Sequence, residues 1–233
     1  EGRILLNDDT PVVAATWRAA MLAAGAVCEA VQDVASGKSQ RVFCAIRPPG
    51  HHAGAARSEG YCIFNNVVIG ALHAQAISDM KRIAIIDFDV HQGNGSDALA
   101  REHQGLFYVS SHQWPIYPTM GLPAENKENV VLNMTFTAGD GSEKFRKMYS
   151  EQVFPALDAF KPDLIMISAG FDAHKDDPLA EVKLDEADYS WITTELRKIA
   201  DKHAKGRIVS TLEGGYNVDA LVRSVAAHVT ALR

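Results

Sequence analysis

Residues 83–91 read Ile-Ala-Ile-Ile-Asp-Phe-Asp-Val-His, an apolar run that passes directly into three polar residues at alternate positions. An uninterrupted run of this kind predicts a strand buried on both faces, as in a parallel sheet covered by helices on both sides. Residues 164–167, Leu-Ile-Met-Ile, form a second such run, and Gly-Phe-Asp follows shortly after it. Together the two runs predict an α/β domain with a mainly parallel, doubly wound sheet.

Shorter β-branched runs alternate with longer amphipathic segments along the rest of the chain. We expect strands over residues 41–46, 82–88, 106–110, 130–134, 163–168 and 207–212. We expect helices over residues 9–35, 65–79, 96–101, 143–160, 185–202 and 219–232. The first of these helices opens on the capping sequence Asp9-Thr10-Pro11. We find no repeat or linker in the sequence, so we expect a single domain over residues 1–233.

The composition excludes several classes of protein. The 233 residues are 47% hydrophobic, too apolar for a disordered chain, and a net charge of −6 without a basic cluster argues against a nucleic-acid partner. Residues 12–35 are the most apolar segment, but Arg18, Glu29 and Asp33 interrupt them, so we expect no membrane span. Three cysteines without a Cys-x-x-Cys motif predict reduced thiols and a cytoplasmic location. The oligomeric state stays open.

Histidines collect where the predicted strands end. Five of the nine fall in the loops that follow strands: His51, His52, His91, His112 and His174. In an open α/β sheet, ligands bind beyond the carboxyl ends of the strands. Polar residues scattered at random would not gather at one edge of the sheet, so we expect the active site there.

Asp87, Asp89 and His91 stand at positions i, i+2 and i+4, so an extended strand end points all three to one side. Asp172 follows the second apolar run. Asp89, His91 and Asp172 would together supply two oxygens and one nitrogen. Three protein ligands leave positions open for water and substrate, which is typical of a catalytic zinc site. Asp87 is then suited to orient a neighbouring imidazole.

The pair His51-His52 follows Pro-Pro-Gly, which can form the tight turn that brings adjacent side chains to one pocket. Imidazole titrates near neutral pH, so one histidine can take a proton from water and one can protonate a leaving amine. Tyr216 follows Glu-Gly-Gly at the last predicted strand end and is a suitable donor to an oxyanion. These groups together predict metal-assisted hydrolysis of an amide.

Five segments carry a family resemblance: residues 47–52, 60–66, 87–95, 170–172 and 213–217. They resemble the zinc-dependent histone deacetylase superfamily. Arg-Pro-Pro-Gly-His-His and His-Gln-Gly-Asn-Gly are similar to its class II and bacterial deacetylase-like branch, which includes acetylpolyamine amidohydrolases. The resemblance implies one Zn²⁺ with three ligands: Asp89, His91 and Asp172. It implies His52 as general base with His51 as its partner, and Tyr216 polarising the carbonyl of an acyl-lysine or acylated amine.

The resemblance also implies that Asp87 pairs with His51 and that Asn94 orients His52 without a charge. It implies a structural K⁺ near five residues: Asp87, Asp89, His91, Ser110 and Ser111. It implies a substrate channel with four wall residues: Gly60, Tyr61, Tyr117 and Leu179. The family's pattern further suggests that the N-terminal part of the domain is missing. We expect the charged residues 175–177, Lys-Asp-Asp, to be solvated near the channel mouth.

Two other functions remain open. An arginase-like ureohydrolase shares the strand-end Asp/His arrangement but binds two Mn²⁺ ions, and Gly93, Asn94 and His174 stand where further carboxylates would be expected. A module that binds acyl-lysine or polyamines without hydrolysis would keep the same pocket. Metal counting distinguishes the first from a one-zinc enzyme, and turnover distinguishes the second.

Overall fold

The computed structural model describes residue 2 and residues 4–233. Its strands are β1 (Ile4–Leu5), β2 (Pro11–Val12), β3 (Arg41–Cys44), β4 (Ile83–Asp87), β5 (Leu106–Gln113), β6 (Val131–Phe136), β7 (Leu164–Ala169) and β8 (Ile208–Leu212). Its α-helices are α1 (Thr16–Ser36), α2 (Asn66–Ile77), α3 (Asn94–Glu102), α4 (Ser142–Met148), α5 (Phe154–Phe160), α6 (Glu186–His203) and α7 (Val218–Leu232).

The main sheet has six parallel strands in the order β3-β8-β7-β4-β5-β6. Strand β4 therefore lies inside the sheet, with β7 on one side and β5 on the other. Parallel pairing brings the carboxyl ends of all six strands to one edge, as the expected α/β sheet requires. The doubly wound α/β fold is confirmed.

Two helical layers cover the sheet. Helices α1, α2 and α3 pack on one face, where Ile83 and Ile85 point, and α4 to α7 pack on the other, where Ile86 points. These three isoleucines are completely buried. Burying such a side chain contributes about 1.5–3 kcal/mol, so both layers stabilise the strand that leads to Asp87 and Asp89.

The first helix begins later than the sequence pattern predicts. It starts at Thr16 rather than at residue 9, and Pro11 and Val12 pair antiparallel with β1 instead. The Asn7 side chain accepts the amide of Thr10, while the Asp9 carboxylate accepts the amide of Gly60 rather than capping a helix. The capping pattern at Asp9-Thr10-Pro11 therefore belongs to a turn.

Helix α1 leaves the expectation of no membrane span untested. By length and composition it could cross a bilayer, since an 18-residue window reaches a mean hydropathy of 1.2. One third of that window is buried in the fold. Val27 and Val31 pack in the core, whereas Trp17 and Leu22 are exposed.

The segment predicted as one helix over residues 143–160 is interrupted by a π-helical turn at Tyr149–Val153, between α4 and α5. Pro155 follows this turn and has no amide hydrogen to donate to the preceding turn. A wider turn at such a point is a common way to accommodate the missing hydrogen bond. The helical direction continues to Phe160.

Candidate metal centre

The loops after β3, β4, β7 and β8 meet at one edge of the sheet. They bring together the histidine pair, the Asp89–His91 segment, Asp172 and the Gly-Gly-Tyr turn. Strands β8, β7 and β4 are direct neighbours, so residues distant in sequence become adjacent here. The site lies where the sequence pattern places it.

Asp89, His91 and Asp172 form a compact cluster whose ligand atoms lie within 4.8 Å of one another. His91 Nδ1 lies 3.1 Å from Asp89 Oδ1 and 3.0 Å from Asp172 Oδ2. The remaining carboxylate oxygens accept backbone amides, Asp89 Oδ2 from Gly214 and Asp172 Oδ1 from Val90, each at 2.8 Å. Within the described part of the chain, no other group of three His, Cys, Asp or Glu residues is as closely arranged.

Two glycines make room for this cluster. A Cβ atom on Gly170 would overlap the carboxylate of Asp89, and one on Gly214 would overlap the carboxylate of Asp172. The backbone of two strand-end loops therefore lies so close to the two carboxylates that any residue other than glycine would collide with them. This cradle, with one nitrogen and two carboxylates, fits a divalent zinc ion.

The three side chains of the cluster shift one another's pKa values. Burial acts to raise the pKa of Asp89, but the charges of His51 and His91 outweigh it and hold that pKa well below its usual range. Burial and the charge of Asp89 raise the pKa of Asp172 to about 6. Burial would lower the pKa of His91, yet Asp172 and Asp89 raise it to about 11. The carboxylates of Asp89 and Asp172 are therefore both in contact with the imidazole of His91.

The histidine pair lies beside the cluster, with ring centroids 4.0 Å apart. His51 Nδ1 lies 2.9 Å from Asp87 Oδ2, and His52 Nδ1 lies 2.8 Å from Asn94 Oδ1. Burial would lower the pKa of His51, but Asp87 and then Asp89 raise it to about 10. Burial, and then the charge of His51, lower the pKa of His52 well below its usual value. The two imidazoles therefore differ in protonation, His51 charged and His52 neutral.

Sequence reasoning missed the residue that holds the turn before this pair. Glu213 is buried, and its Oε2 accepts the amides of Gly50 at 2.7 Å and His51 at 3.2 Å. Its Oε1 accepts the hydroxyls of Ser168 and Thr211. Burial raises the pKa of Glu213 to about 7, with the charge of His51 opposing. One carboxylate thus ties the loop after β3 to β7 and β8.

A cavity of about 200 Å³ opens above the cluster. Eight residues line it: Asp9, His52, Gly60, Tyr61, His91, Tyr117, Leu179 and Tyr216. The four predicted wall residues are among them, whereas Asp9 was not foreseen. A Cβ on Gly60 would overlap the ring of His52, so glycine is required at that point of the wall. Tyr216 is 40% exposed, and its ring centroid lies 6.4 Å from that of His91.

The two serines predicted near a potassium ion lie on β5, and Ser110 stands beside Asp87 in the parallel pairing. The Ser110 hydroxyl lies 2.9 Å from His112 Nδ1, and the Ser111 hydroxyl lies 3.1 Å from the Tyr149 hydroxyl. Both hydroxyls form contacts with other side chains. The potassium site stays a prediction.

The charged residues 175–177 are only partly solvated, which corrects the expectation for Asp177. Lys175 and Asp176 are exposed, but Asp177 is 7% exposed and accepts the amide of Tyr216 at 2.7 Å. The two residues lie 39 positions apart in sequence. No local pattern around Asp177 reveals that contact.

Asn94 and His174, at two of the positions considered for a second metal ion, form contacts with other protein groups. Asn94 accepts from His52, as described above, and donates through Nδ2 to Glu59 at 3.2 Å. His174 is buried, its Nδ1 accepts the amide of Asp176, and its Nε2 faces Glu186 at 3.5 Å. The two-manganese alternative finds no support in these contacts.

Comparison with known proteins gives consistent results. The family model described as "Histone deacetylase domain" matches residues 2–232. The chain is 41% identical over 96% of its length to Type-2 histone deacetylase 2 of Dictyostelium discoideum, covering 14% of that protein. It is 38% identical over 99% of its length to the chloroplastic Histone deacetylase 14 of Arabidopsis thaliana, covering 57% of that protein. It is 33% identical over 91% of its length to the Histone deacetylase-like amidohydrolase of Pseudomonas aeruginosa, covering 57% of that protein.

The crystal structure of the HDA15 HD domain is similar in fold, with a TM-score of 0.93 and 33% identity. The match covers 99% of this chain and 65% of that one. The chain therefore spans only part of the length of these relatives. With the family model matching almost every residue and the metal-ligand cluster in place, the chain belongs to the histone deacetylase domain family.

Proposed function

We propose that the protein hydrolyses an acyl amide with one zinc ion, removing acetyl or related acyl groups from lysine side chains or from polyamines and similar amines. The observation that carries this proposal is the Asp89–His91–Asp172 cluster at the base of a cavity walled by tyrosines. The names of the matched relatives, which include histone deacetylases and a deacetylase-like amidohydrolase, support the same reaction class.

Asp89, His91 and Asp172 would hold the zinc ion. When bound, zinc supplies Lewis-acid polarisation of the substrate carbonyl and increases the acidity of water. The amides of Gly214 and Val90 each hold one carboxylate oxygen of these ligands in place. Such hydrogen bonds orient metal ligands and tune their basicity.

His52 is placed to act as the general base. Asn94 donates through Nδ2 to Glu59, so its Oδ1 must accept from His52 Nδ1. This fixes the tautomer of a neutral His52 and leaves the lone pair on Nε2. That nitrogen can accept a proton from water and return it to the leaving amine. Asn94 therefore orients the ring through a hydrogen bond and adds no charge beside it.

His51 and Tyr216 complete the machinery. The charged His51 is paired with Asp87, and burial together with the positive charge of His51 keeps His52 neutral in the resting site. Burial, followed by the charges of Asp172 and Asp89, raises the pKa of the Tyr216 hydroxyl. The phenol therefore stays protonated and can donate to the oxygen that becomes negative on the carbonyl.

The cavity favours an extended aliphatic amine. It is small, and Tyr61, Tyr117 and Tyr216 form aromatic walls around it. Apolar walls of this type bury a methylene chain, while the polar groups at the base fix the orientation of the acyl group.

The test is the release of acetate by the zinc-loaded protein from an acetyl-lysine peptide and from acetylputrescine. We expect Tyr216→Phe to lower kcat by about 10²–10³, the cost of losing one oxyanion donor. We expect Asp172→Ala to lose stoichiometric zinc, measured by equilibrium dialysis. Absence of turnover on both substrates would overturn the proposal, and tight hydroxamate binding without turnover would indicate a binding module instead.

A further inference from the structure

Asp177 is a buried carboxylate that lies outside the metal cluster and accepts three backbone amides. Its Oδ1 accepts the amide of Leu179 at 3.0 Å, and its Oδ2 accepts those of Tyr216 at 2.7 Å and Asn217 at 3.3 Å. Among the residues that the structure describes, no Lys, Arg or His forms an ion pair with it. Backbone amides alone compensate the buried charge, which is an arrangement suited to fixing loops.

The turn that carries Tyr216 has little rigidity of its own. Gly214 and Gly215 precede the tyrosine, and Gly215 has φ of 138°, a conformation that favours glycine. The amide of Gly214 is tied to Asp89, so the start of the turn is held by the metal cluster. Beyond the glycines, the next backbone donors are those of Tyr216 and Asn217, and both reach Asp177.

The same carboxylate also holds a second residue of the cavity wall. Leu179 and Tyr216 both line the cavity, and Asp177 accepts the amide of each. The side chain of Leu179 is 49% exposed, so burial of the side chain alone does not fix its position. One carboxylate therefore sets the relative position of two wall residues from different loops.

We propose that Asp177 is the positioning residue for Tyr216: its carboxylate fixes the backbone from which the phenol reaches the substrate carbonyl. The proposal rests on the function proposed above. A donor must stand within hydrogen-bond distance of the developing oxyanion, and displacement by about 1 Å can cost a hundredfold in rate. Asp177 would act on kcat through Tyr216, without touching substrate or metal.

The first test compares Asp177→Asn, Asp177→Ala and Asp176→Asn in the zinc-loaded protein. Asp176 is exposed and pairs with Arg223, so its substitution removes a carboxylate charge from the neighbouring residue and leaves the three amide contacts of Asp177 in place. We expect kcat to fall by about tenfold to a hundredfold in Asp177→Ala. We expect a smaller fall in Asp177→Asn, which keeps one acceptor oxygen, a KM within about threefold, and no change in Asp176→Asn.

The decisive measurement is a double-mutant cycle with Tyr216→Phe. If Asp177 acts through the tyrosine hydroxyl, Asp177→Asn lowers kcat in the parent protein but not in the Tyr216→Phe background. A trifluoroacetyl substrate, whose carbonyl is more electrophilic and needs less polarisation, should lose less rate in both single variants. The proposal would be overturned if Asp177→Asn lowered kcat by the same factor with and without Tyr216→Phe, and equally on both substrates. That result would show a general structural role for Asp177.

A spectroscopic measurement separates this proposal from the proposed function. With 3-fluorotyrosine at position 216, the ¹⁹F resonance of the parent protein should differ from that of free fluorotyrosine, and Asp177→Asn should shift it towards the solvent value. Asp176→Asn should leave it in place. If the parent protein shows no turnover, the function fails while this shift still supports the positioning role; an unchanged resonance in Asp177→Asn rejects that role.

Discussion

Glu213 illustrates how one buried side chain supports the geometry of the histidine pair. Its two oxygens accept two amides from the Gly50–His51 turn and two hydroxyls from β7 and β8. The amides can only donate, whereas the hydroxyls of Ser168 and Thr211 can rotate to accept as well. A neutral amide side chain therefore satisfies the same partners, but a methyl group satisfies none.

We expect Glu213→Gln to retain most activity and Glu213→Ala to lose it. In the alanine variant, buried donors are left without acceptors, which lowers the free energy of unfolding by about 1–3 kcal/mol. Urea denaturation and acetate release measure the two effects. Equal behaviour of the glutamine and alanine variants would contradict this account of the turn.

Residues whose positions follow from local periodicity were predictable from sequence. Asp89 and His91 share one side because they alternate along a strand end, and the structure brings them together with Asp172. Glu213 and Asp177 were not recognised, since the amide of Gly50 that Glu213 accepts lies 163 residues away, and the amide of Tyr216 that Asp177 accepts lies 39 residues away. A carboxylate whose partners come from distant loops has the same sequence signature as a solvated one.

At the level of elements, α1 and α2 each contain one glycine, and the two occupy different surroundings. A Cβ on Gly25 of α1 would meet open space. A Cβ on Gly70 of α2 would stand 2.6 Å from Val27 Cγ1 and 2.9 Å from Met166 Cε. Val27 is fully buried and short, so it cannot withdraw. The close approach of these two helices therefore depends on Gly70.

We expect Gly25→Ala to raise the free energy of unfolding by about 0.5–1 kcal/mol, because alanine favours the helix. We expect Gly70→Ala to lower it by about 1–3 kcal/mol, because overpacking outweighs that preference. Urea denaturation of the two variants measures both free energies of unfolding. Stabilisation in both would contradict the prediction for Gly70→Ala and show that α1 and α2 can move apart.

The order of helices and strands followed from apolar periodicity, but one boundary did not. Asp9-Thr10-Pro11 has the composition of a helix start, yet the Asp9 carboxylate is engaged by Gly60, in a loop 51 residues away. A local pattern cannot reveal such a contact. The strand interiors were predicted well because both faces of β4 and β7 are buried, which requires continuous apolar runs.

For the whole molecule, His228 of α7 makes folding sensitive to acid. It is completely buried beside Phe43, Phe88 and Phe171. Its ring nitrogens contact the hydroxyls of Thr193 and Ser210. Burial lowers its pKa to about 3, so the native state keeps it neutral where the unfolded chain binds a proton.

The contribution of His228 to the free energy of unfolding should therefore be complete above pH ~6.5 and decline by about 1.4 kcal/mol per pH unit as pH falls towards 3. His228→Gln keeps a donor and an acceptor but does not titrate. We expect it to be less stable at pH 8 and to show a shallower decline between pH 6.5 and 4. An unchanged slope in metal-free protein would assign the acid sensitivity to other groups.

The parallel strand order has a consequence for biosynthesis. His91 and Asp172 are separated by 81 residues, and Asp89 and the amide of Gly214 by 125. A ribosome therefore releases the first ligands long before the last, and the nascent chain holds an Asp/His pair with no third ligand for most of that interval. If the cluster binds zinc as proposed, metal capture would follow the pairing of β7 with β4, since that pairing places Asp172 beside Asp89 and His91.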